Sequence, residues 1–535
     1  MSDFPVLTLT ILVPLVGAVL VAAAPVGDAL AKQIGLGFAL AATVLPVATW
    51  IAFDPDGGQQ FTETYSWISV FGAHWALGVD GISLVLVLLT VFLVPVVVAA
   101  DWQRVDAGRP RRLVAWMLAL EALTLVVFTA TDVFLFYVVF EATLIPAYFL
   151  VAGYGSGGGD PSGRTDTDTR GLAVRGMARA EDAARGRAAA KFLLYQLAGG
   201  LVMLASVIGL YVVAARAGEP SYLLSDLTAL DLDPTTQRWL FVGFFVAFAA
   251  KAPLFPLHTW LADTTEHASP GTSVLLVCVL DKIGTYGMLR ICLGLLPEAS
   301  EWATPLVITL ALVSVVHGAL LAIGSDNIFR LVGLTSLSHF GLITLGIFVL
   351  SRPGGSGAVL YMVNHGLATA ALFLTAGHLV RRTGTTSIRA MGGLQKATPV
   401  LAGTFLVAGL ATLGLPGLST FVSEILVLAA AFTWNWWAGA VAVLSIVLAA
   451  VYVLSTYRRT MTGPERPEFA GARDLDAREV ASTSPVLAAL LVLGFLPGVL
   501  LQVIDPGVDA LLTSIGVSDP TPTVAVVGTD VEGGR

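Results

Sequence analysis

Six ionisable residues stand inside long apolar runs: Glu121, Glu141, Lys251, Asp281, Lys282 and Glu424. Four histidines, His317, His339, His365 and His378, stand in similar runs. A charge in hydrocarbon costs several kcal/mol unless it faces protein or water, so a row of such groups points to proton binding and release. Lys251 lies two residues before Pro253 in FVAFAAKAPLFPLHTW, where two prolines remove backbone donors and free the carbonyls of the preceding turn. At an effective dielectric near 20, a carboxylate about 6.5 Å away contributes roughly 2.5 kcal/mol, enough to load or unload a buried lysine when it moves. The competing reading, an inert ion pair holding helices together, is weakened because buried pairs stabilise little compared with apolar packing.

Glu141, in DVFLFYVVFEATLIPAYF, is the natural carboxylate partner and has no cation in its own run. Lys282 follows Asp281 directly, and adjacent helical residues point about 100° apart, so the two need not pair. Asp281 stands between a relay role and local charge compensation. Glu121 stands between a relay role and a protonated, hydrogen-bonded core carboxyl. The histidines invite a haem reading. His365 and His378 lie roughly 220° apart around one helix, however, and their candidate partners His317 and His339 fall in separate spans. A lone intramembrane histidine is often only a hydrogen-bonded core residue, and that reading stays open for all four.

The elements that must position these groups follow from the apolar runs. Of 535 residues, 56% are hydrophobic and 12% charged, which leaves too little polar surface for a soluble enzyme of this size. The runs predict an all-α polytopic membrane protein with fourteen spans, near 5–24, 33–53, 80–100, 113–131, 132–152, 192–215, 239–258, 271–292, 304–323, 331–351, 357–380, 397–432, 435–456 and 485–504. The seventh is broken by Pro253 and Pro256. The twelfth, too long for one crossing, is broken at Gly414-Leu415-Pro416-Gly417. No domain boundary is implied: residues 1–535 read as one transmembrane domain, with a mobile cytoplasmic loop at 153–190 and a polar tail at 505–535.

Loops after odd-numbered spans carry 22 of the 29 Lys and Arg, which places them in the cytoplasm and both termini outside. Trp434, Trp436 and Trp437 then fall at an outer interface. The first apolar run has neither a basic flank nor a cleavage site and reads as a retained helix. A net charge of −8 with no basic patch argues against nucleic acid as a partner. Cys278 and Cys292 form no CxxC pair or plausible ligand set for iron–sulfur or zinc, so neither metal nor cofactor is expected in this chain. The glycines of 153–190 lack phosphate-cradle spacing.

The stretch KAPLFPLHTWLADTTEHASPGTSVLLVCVLDK, from Lys251 to Lys282, resembles the signature of the antiporter-like subunits of respiratory complex I. DVFLFYVVFEATLIPAYFLVAGYG, GRAAAKFLLYQLAGG, RLVGLTSLSHFG and GLPGLSTFVSE resemble the same family in the same order, over roughly residues 80–456. The resemblance implies two inverted five-helix repeats, spans 4–8 (near 113–292) and 9–13 (near 304–456), each half a proton channel. It implies that Glu141 and Lys251 form the cytoplasmic-side pair, that Lys282 and His339 connect along the membrane, and that His365 lies on the path to Glu424. Glu424, where related subunits carry lysine, points to the M-type branch, and the length leaves no room for an L-type lateral helix.

The implied function is proton translocation in a bacterial inner membrane, with NADH, flavin, iron–sulfur and quinone chemistry done by other subunits. The implied partners are L-type and N-type neighbours, the lateral helix of the L-type subunit, and lipid. Rival readings are a subunit of a multi-subunit sodium/proton antiporter or membrane-bound hydrogenase and, from another class, a haem-carrying electron-transfer protein. The sequence departs from the family pattern at Thr265 in place of a loop histidine, at His267, at Asp281 in place of an apolar residue, and at Phe329 in place of a basic one. Proton uptake near 263–270 is what these departures put in question.

Overall fold

The computed structural model describes residues 4–103, 110–155, 169–218, 220–469 and 471–517. Helices α1 (Val6–Ala23) and α2 (Asp28–Ala52) lead into a hairpin of β1 (Gln60–Ile68) and β2 (Ala73–Val79), antiparallel with Gln60 opposite Val79. Then come α3 (Gly81–Ala100), α4 (Pro110–Thr129), and α5 (Val133–Ala142) with α6 (Leu144–Gly153), which meet at Thr143. The first half closes with α7 (Thr169–Ala217), the short α8 (Leu224–Thr228), α9 (Pro234–Lys251), α10 (Thr259–His267), α11 (Pro270–Val274) and α12 (Lys282–Gly287). Two π-helical turns, Leu275–Leu280 and Met288–Leu293, flank α12. The second half holds α13 (Pro297–Gly324), α14 (Ile328–Phe348), α15 (Arg352–Thr383), α16 (Leu394–Ala397), α17 (Pro399–Leu413), α18 (Ser419–Trp434), α19 (Trp436–Met461), α20 (Ala477–Phe495) and α21 (Gly498–Ser514).

Among the described residues, eleven helices are long and apolar enough to cross a membrane. The seventh, eighth and twelfth expected spans fall instead on runs of shorter helices: α9 with α10, α11 with α12, and α17 with α18. Polarity is distributed inside-out. Ile51, Trp239, Leu194 and Trp436 are exposed at the perimeter, whereas Lys251, Asp281 and Lys282 are fully buried. That is the low-energy arrangement when hydrocarbon is the solvent. Helices α14 and α15 are buried over the whole of their apolar windows and form the centre of the second half.

Helix starts follow local capping chemistry. Asp80 accepts from Ile82 N and Ser83 N, Asp233 accepts ahead of Pro234, Asn327 accepts from Phe329 N and Arg330 N, and Ser351 accepts from Gly354 N. Glu63 of β1 accepts from Leu7 N at 2.7 Å and Thr8 Oγ1 at 2.5 Å, setting a carboxylate against the positive end of α1. The hairpin and the start of α1 therefore share one end of the molecule.

Three expectations need correction. Residues 169–190, expected as part of a loop, continue span six as the first turns of α7; the rest of the described part of 153–190 is Gly153–Gly155, and 156–168 lie outside the described residues. Alanine and arginine dominate this stretch, and both are strong helix formers that carry a helix past the apolar boundary. Arg185 fixes it by donating to the Ala152 carbonyl at 3.0 Å. The last span, expected at 485–504, is α20 at Ala477–Phe495. It starts early because Asp476 and Glu479 form a capping box, and it stops at Leu496-Pro497. The tail expected at 505–535 is helical through Ser514, because Leu500, Ile504, Val508 and Leu511 recur every three or four residues and turn inward. In α21, Asp505 and Asp509 pair with Arg352, and Val503 packs on Gly81 of α3; residues 518–535 lie outside the described residues.

Candidate functional site

The break after α9 positions Lys251 as the last helical residue, and its fully buried side chain points toward α5. Carbonyls freed by the break are met by neighbours. Ala250 O accepts from Gln196 Nε2 at 3.2 Å and Trp260 Nε1 at 3.0 Å, Ala249 O accepts from Leu254 N, and Ser314 Oγ accepts from Phe255 N. Lys251 Nζ donates to Thr143 Oγ1 at 3.1 Å and lies 4.4 Å over the Phe140 ring. Glu141, two residues before Thr143, lies beyond direct contact but within the field of the lysine. Its carboxyl fills the space left by the missing side chain of Gly200 on α7, so any Cβ there would collide with it.

On the helix that packs against this break, Lys282 Nζ is 2.6 Å from His365 Nδ1 and 3.3 Å from Val277 O, a carbonyl in the π-helical turn, and stands 4.2 Å over Phe340. A π turn shifts the helical register and leaves such carbonyls available. The His365 and His339 rings are 5.3 Å apart between centroids. His339 Nδ1 is 2.6 Å from Tyr361 Oη, which donates to Glu424 Oε1 at 2.5 Å. Because the tyrosine has one proton and gives it to Glu424, His339 must donate from Nδ1. Glu424 lies in the first turns of α18 and its carboxyl abuts Gly414, whose φ of 79° closes α17. Glu141 and Glu424 thus each sit against a bare glycine.

The expected order changes in one place. His365, not His339, meets Lys282, and His339 stands next to Glu424 through Tyr361. The reason is packing: α15 lies against both α11 and the π turn that precedes Lys282, so its histidine arrives first. Asp281 and Lys282 do not pair, as their angular separation implies. Glu121 on α4 is buried, and neither of its carboxyl oxygens has a hydrogen-bond partner among the described residues, so the structure does not bring it into the chain of contacts. His317 stacks edge-on with His258 near the α9 break. His378 faces Thr483 and Glu479 on α20, away from the others.

Two further contact residues, Tyr361 and Thr143, are marked in the sequence only by their spacing. Tyr361 is four residues before His365, hence on the same helix face, and Thr143 follows Glu141 by two in a run otherwise apolar. The departures in 263–270 fall on a network at one end of the bundle: Asp263 receives Lys191 Nζ at 2.7 Å and Arg330 Nη1 at 2.9 Å, and Glu266 receives Arg330 at 2.9 Å. Thr265 is buried, donates to Leu261 O, and packs on Gly333, while His267 is half-buried and Phe329 is buried. Among the described residues no group of three or more His, Cys, Asp or Glu side chains is placed to hold a metal ion.

A polytopic helical membrane protein with interrupted helices and an interior file of titratable side chains is the class these features define. The chain belongs to the family described as NADH:quinone oxidoreductase/Mrp antiporter, TM, whose profile matches residues 173–449. It is 44% identical over 561 aligned positions, 98% of this chain and 97% of the relative, to NADH-quinone oxidoreductase subunit M of Mycobacterium tuberculosis. A chain of respiratory complex I from Thermus thermophilus with bound NADH superposes with a TM-score of 0.83 at 31% identity, covering 96% of this chain and all of that one. A chain of the Mrp complex from a Dietzia species gives 0.80 at 21% identity, again over 96% of this chain and all of that one, a likeness of fold alone.

Proposed function

We propose that this chain is the M-type, proton-translocating antiporter-like subunit of a bacterial NADH:quinone oxidoreductase, a non-redox part of that translocase. The observation that carries the reading is the buried file Lys282, His365, His339, Tyr361 and Glu424, in which consecutive polar contacts of 2.5–2.6 Å are interrupted only between the two imidazoles. Glu141 and Lys251 load the file from the other side. A proton taken up at His339 Nε2 releases the one on Nδ1 to Tyr361, which passes its own to Glu424. Atoms and charge balance at each hop. Glu424 is neutral when loaded and negative after release, and each unit charge carried across the full field exchanges about 2.3 kcal/mol per 100 mV.

In this reading NADH, flavin, iron–sulfur clusters and quinone are bound by other subunits and this chain carries no cofactor. The neighbours are L-type and N-type subunits with the lateral helix of the former, in the bacterial inner membrane with both termini outside. Co-purification of the tagged chain with identification of its partners tests it. Recovery of NADH-oxidising subunits is expected, and recovery of only antiporter or hydrogenase subunits would replace this assignment. An absorption spectrum of the isolated chain tests the cofactor statement, with a haem band counting against it.

A further inference from the structure

Asp281 is fully buried, and neither carboxyl oxygen has a hydrogen-bond partner among the described residues. Glu121 shares that condition, but Asp281 alone lies in the field of a lysine on each side, Lys251 and Lys282. Helix geometry fixes which side is which. Gly284, three residues on and therefore near the same face, presses against Phe248 O and Ala252 N at the very break that ends in Lys251. Lys282, about 100° round, points instead to His365 on α15. The π-helical turn that ends at Leu280 sets this register.

The two lysines make contacts with different neighbours, Thr143 for Lys251 and His365 for Lys282, and among the described residues no hydrogen bond joins them directly. A carboxyl between them supplies the missing acceptor and donor. We propose that Asp281 is a proton-carrying carboxyl that bridges Lys251 and Lys282. In the first step the Lys251 ammonium gives its proton to the Asp281 carboxylate, leaving a neutral amine and a neutral acid. In the second the acid gives that proton to the neutral Lys282 amine, restoring the carboxylate and forming the ammonium that faces His365. No further reactant is needed.

The proposal rests on the proton-relay reading, and the test separates the two. Membrane vesicles containing the assembled complex are energised with NADH, and internal acidification is measured per NADH oxidised for Asp281→Asn, Asp281→Leu, Asp281→Glu and Lys251→Ala. Removal of a proton-transfer group should slow pumping roughly tenfold or more in the Asn and Leu variants, with the Glu variant recovering most of it. Infrared difference spectra of the wild-type complex, with and without isotopically labelled aspartate, should show a label-sensitive protonated-carboxyl band that changes on turnover. If Lys251→Ala pumps normally, the relay reading itself fails. If Lys251→Ala is blocked while Asp281→Asn or Asp281→Leu pumps at the wild-type rate, only the bridge fails. Slowed pumping without the label-sensitive band makes Asp281 a fixed counter-charge and overturns the proposal. Should the variants not assemble, the infrared measurement on the wild type decides alone.

Discussion

At the scale of single residues, the charge type at each position matters less than whether the group can titrate while keeping its contacts. Lys251 donates to Thr143 and stands beside Glu141 without touching it, so its charge is held by field and one hydrogen bond rather than by a locked ion pair. Lys251→Ala and Glu141→Ala should each abolish proton pumping with the subunit still present in the complex. Lys251→Arg should fail as well, because arginine does not release its proton; full pumping by that variant in vesicles would mean that charge alone suffices. At the other end, Glu424→Gln keeps an oxygen for the Tyr361 hydroxyl but cannot titrate, and should block pumping, whereas Glu424→Lys should retain part of it. Tyr361→Phe removes the atom that, alone among the described residues, links His339 to Glu424 at hydrogen-bond distance, and should cut pumping by about 10²-fold while leaving assembly intact. Wild-type rates in Tyr361→Phe would dissolve the file at that point. Glu141, Lys251, Lys282, His339, His365 and Glu424 were legible because each is costly in an apolar run. Tyr361 and Thr143 were harder to see, because a hydroxyl costs little in such a run and stands out only by its spacing from a charged neighbour.

At the scale of elements, interrupted helices and bare glycines make the room that the charges occupy. The prolines and Gly-Leu-Pro-Gly announced both breaks in the sequence, since a missing donor and a positive φ are local facts. The order of the two histidines was not legible, because it depends on how α15 lies against the turn before Lys282, a tertiary contact that no single-helix periodicity encodes. The helical extension of α7 was obscured by charge, and α21 by Pro506, Asp505 and Asp509 within its pattern. The glycines yield a test. Alanine at Gly414 meets both the Glu424 carboxyl and a left-handed backbone costing about 1–2 kcal/mol, and alanine at Gly200 meets the Glu141 carboxyl. Gly403, in the same helix as the end capped by Gly414, has open space around its Cβ position. Gly414→Ala and Gly200→Ala should therefore lower both pumping and the heat resistance of the purified complex, while Gly403→Ala should leave both unchanged or slightly raised. Equal behaviour of the three would show that the carboxylates do not need the glycine space.

At the scale of the whole molecule, alternation of the helices sorts the basic residues by end. Lys191 and Arg330 meet Asp263, Arg381 and Arg382 meet Glu479, and Arg389 meets Asp326, all at the end opposite the hairpin. Arg290 pairs with Asp80, and Arg352 with Asp505 and Asp509, at the hairpin end, where α1 begins and α21 lies. Opposite-sign partners at both ends mean that the ends differ in their excess of positive charge, not in whether charge is balanced. That excess orients a polytopic chain during insertion, and on the proposed orientation it puts the hairpin end outside and the Asp263–Arg330 network in the cytoplasm. Positions 165 and 520, natural probes of the two sides, lie outside the described residues, whereas Asp56 and Glu465 are exposed at opposite ends. Cys278 and Cys292 are fully buried, so labelling reports the introduced thiol. In intact cells a membrane-impermeant maleimide should react with Asp56→Cys and spare Glu465→Cys until the membrane is opened. The reverse pattern would invert the proposed orientation, and with it the proposed direction of proton movement between Glu141 and Glu424.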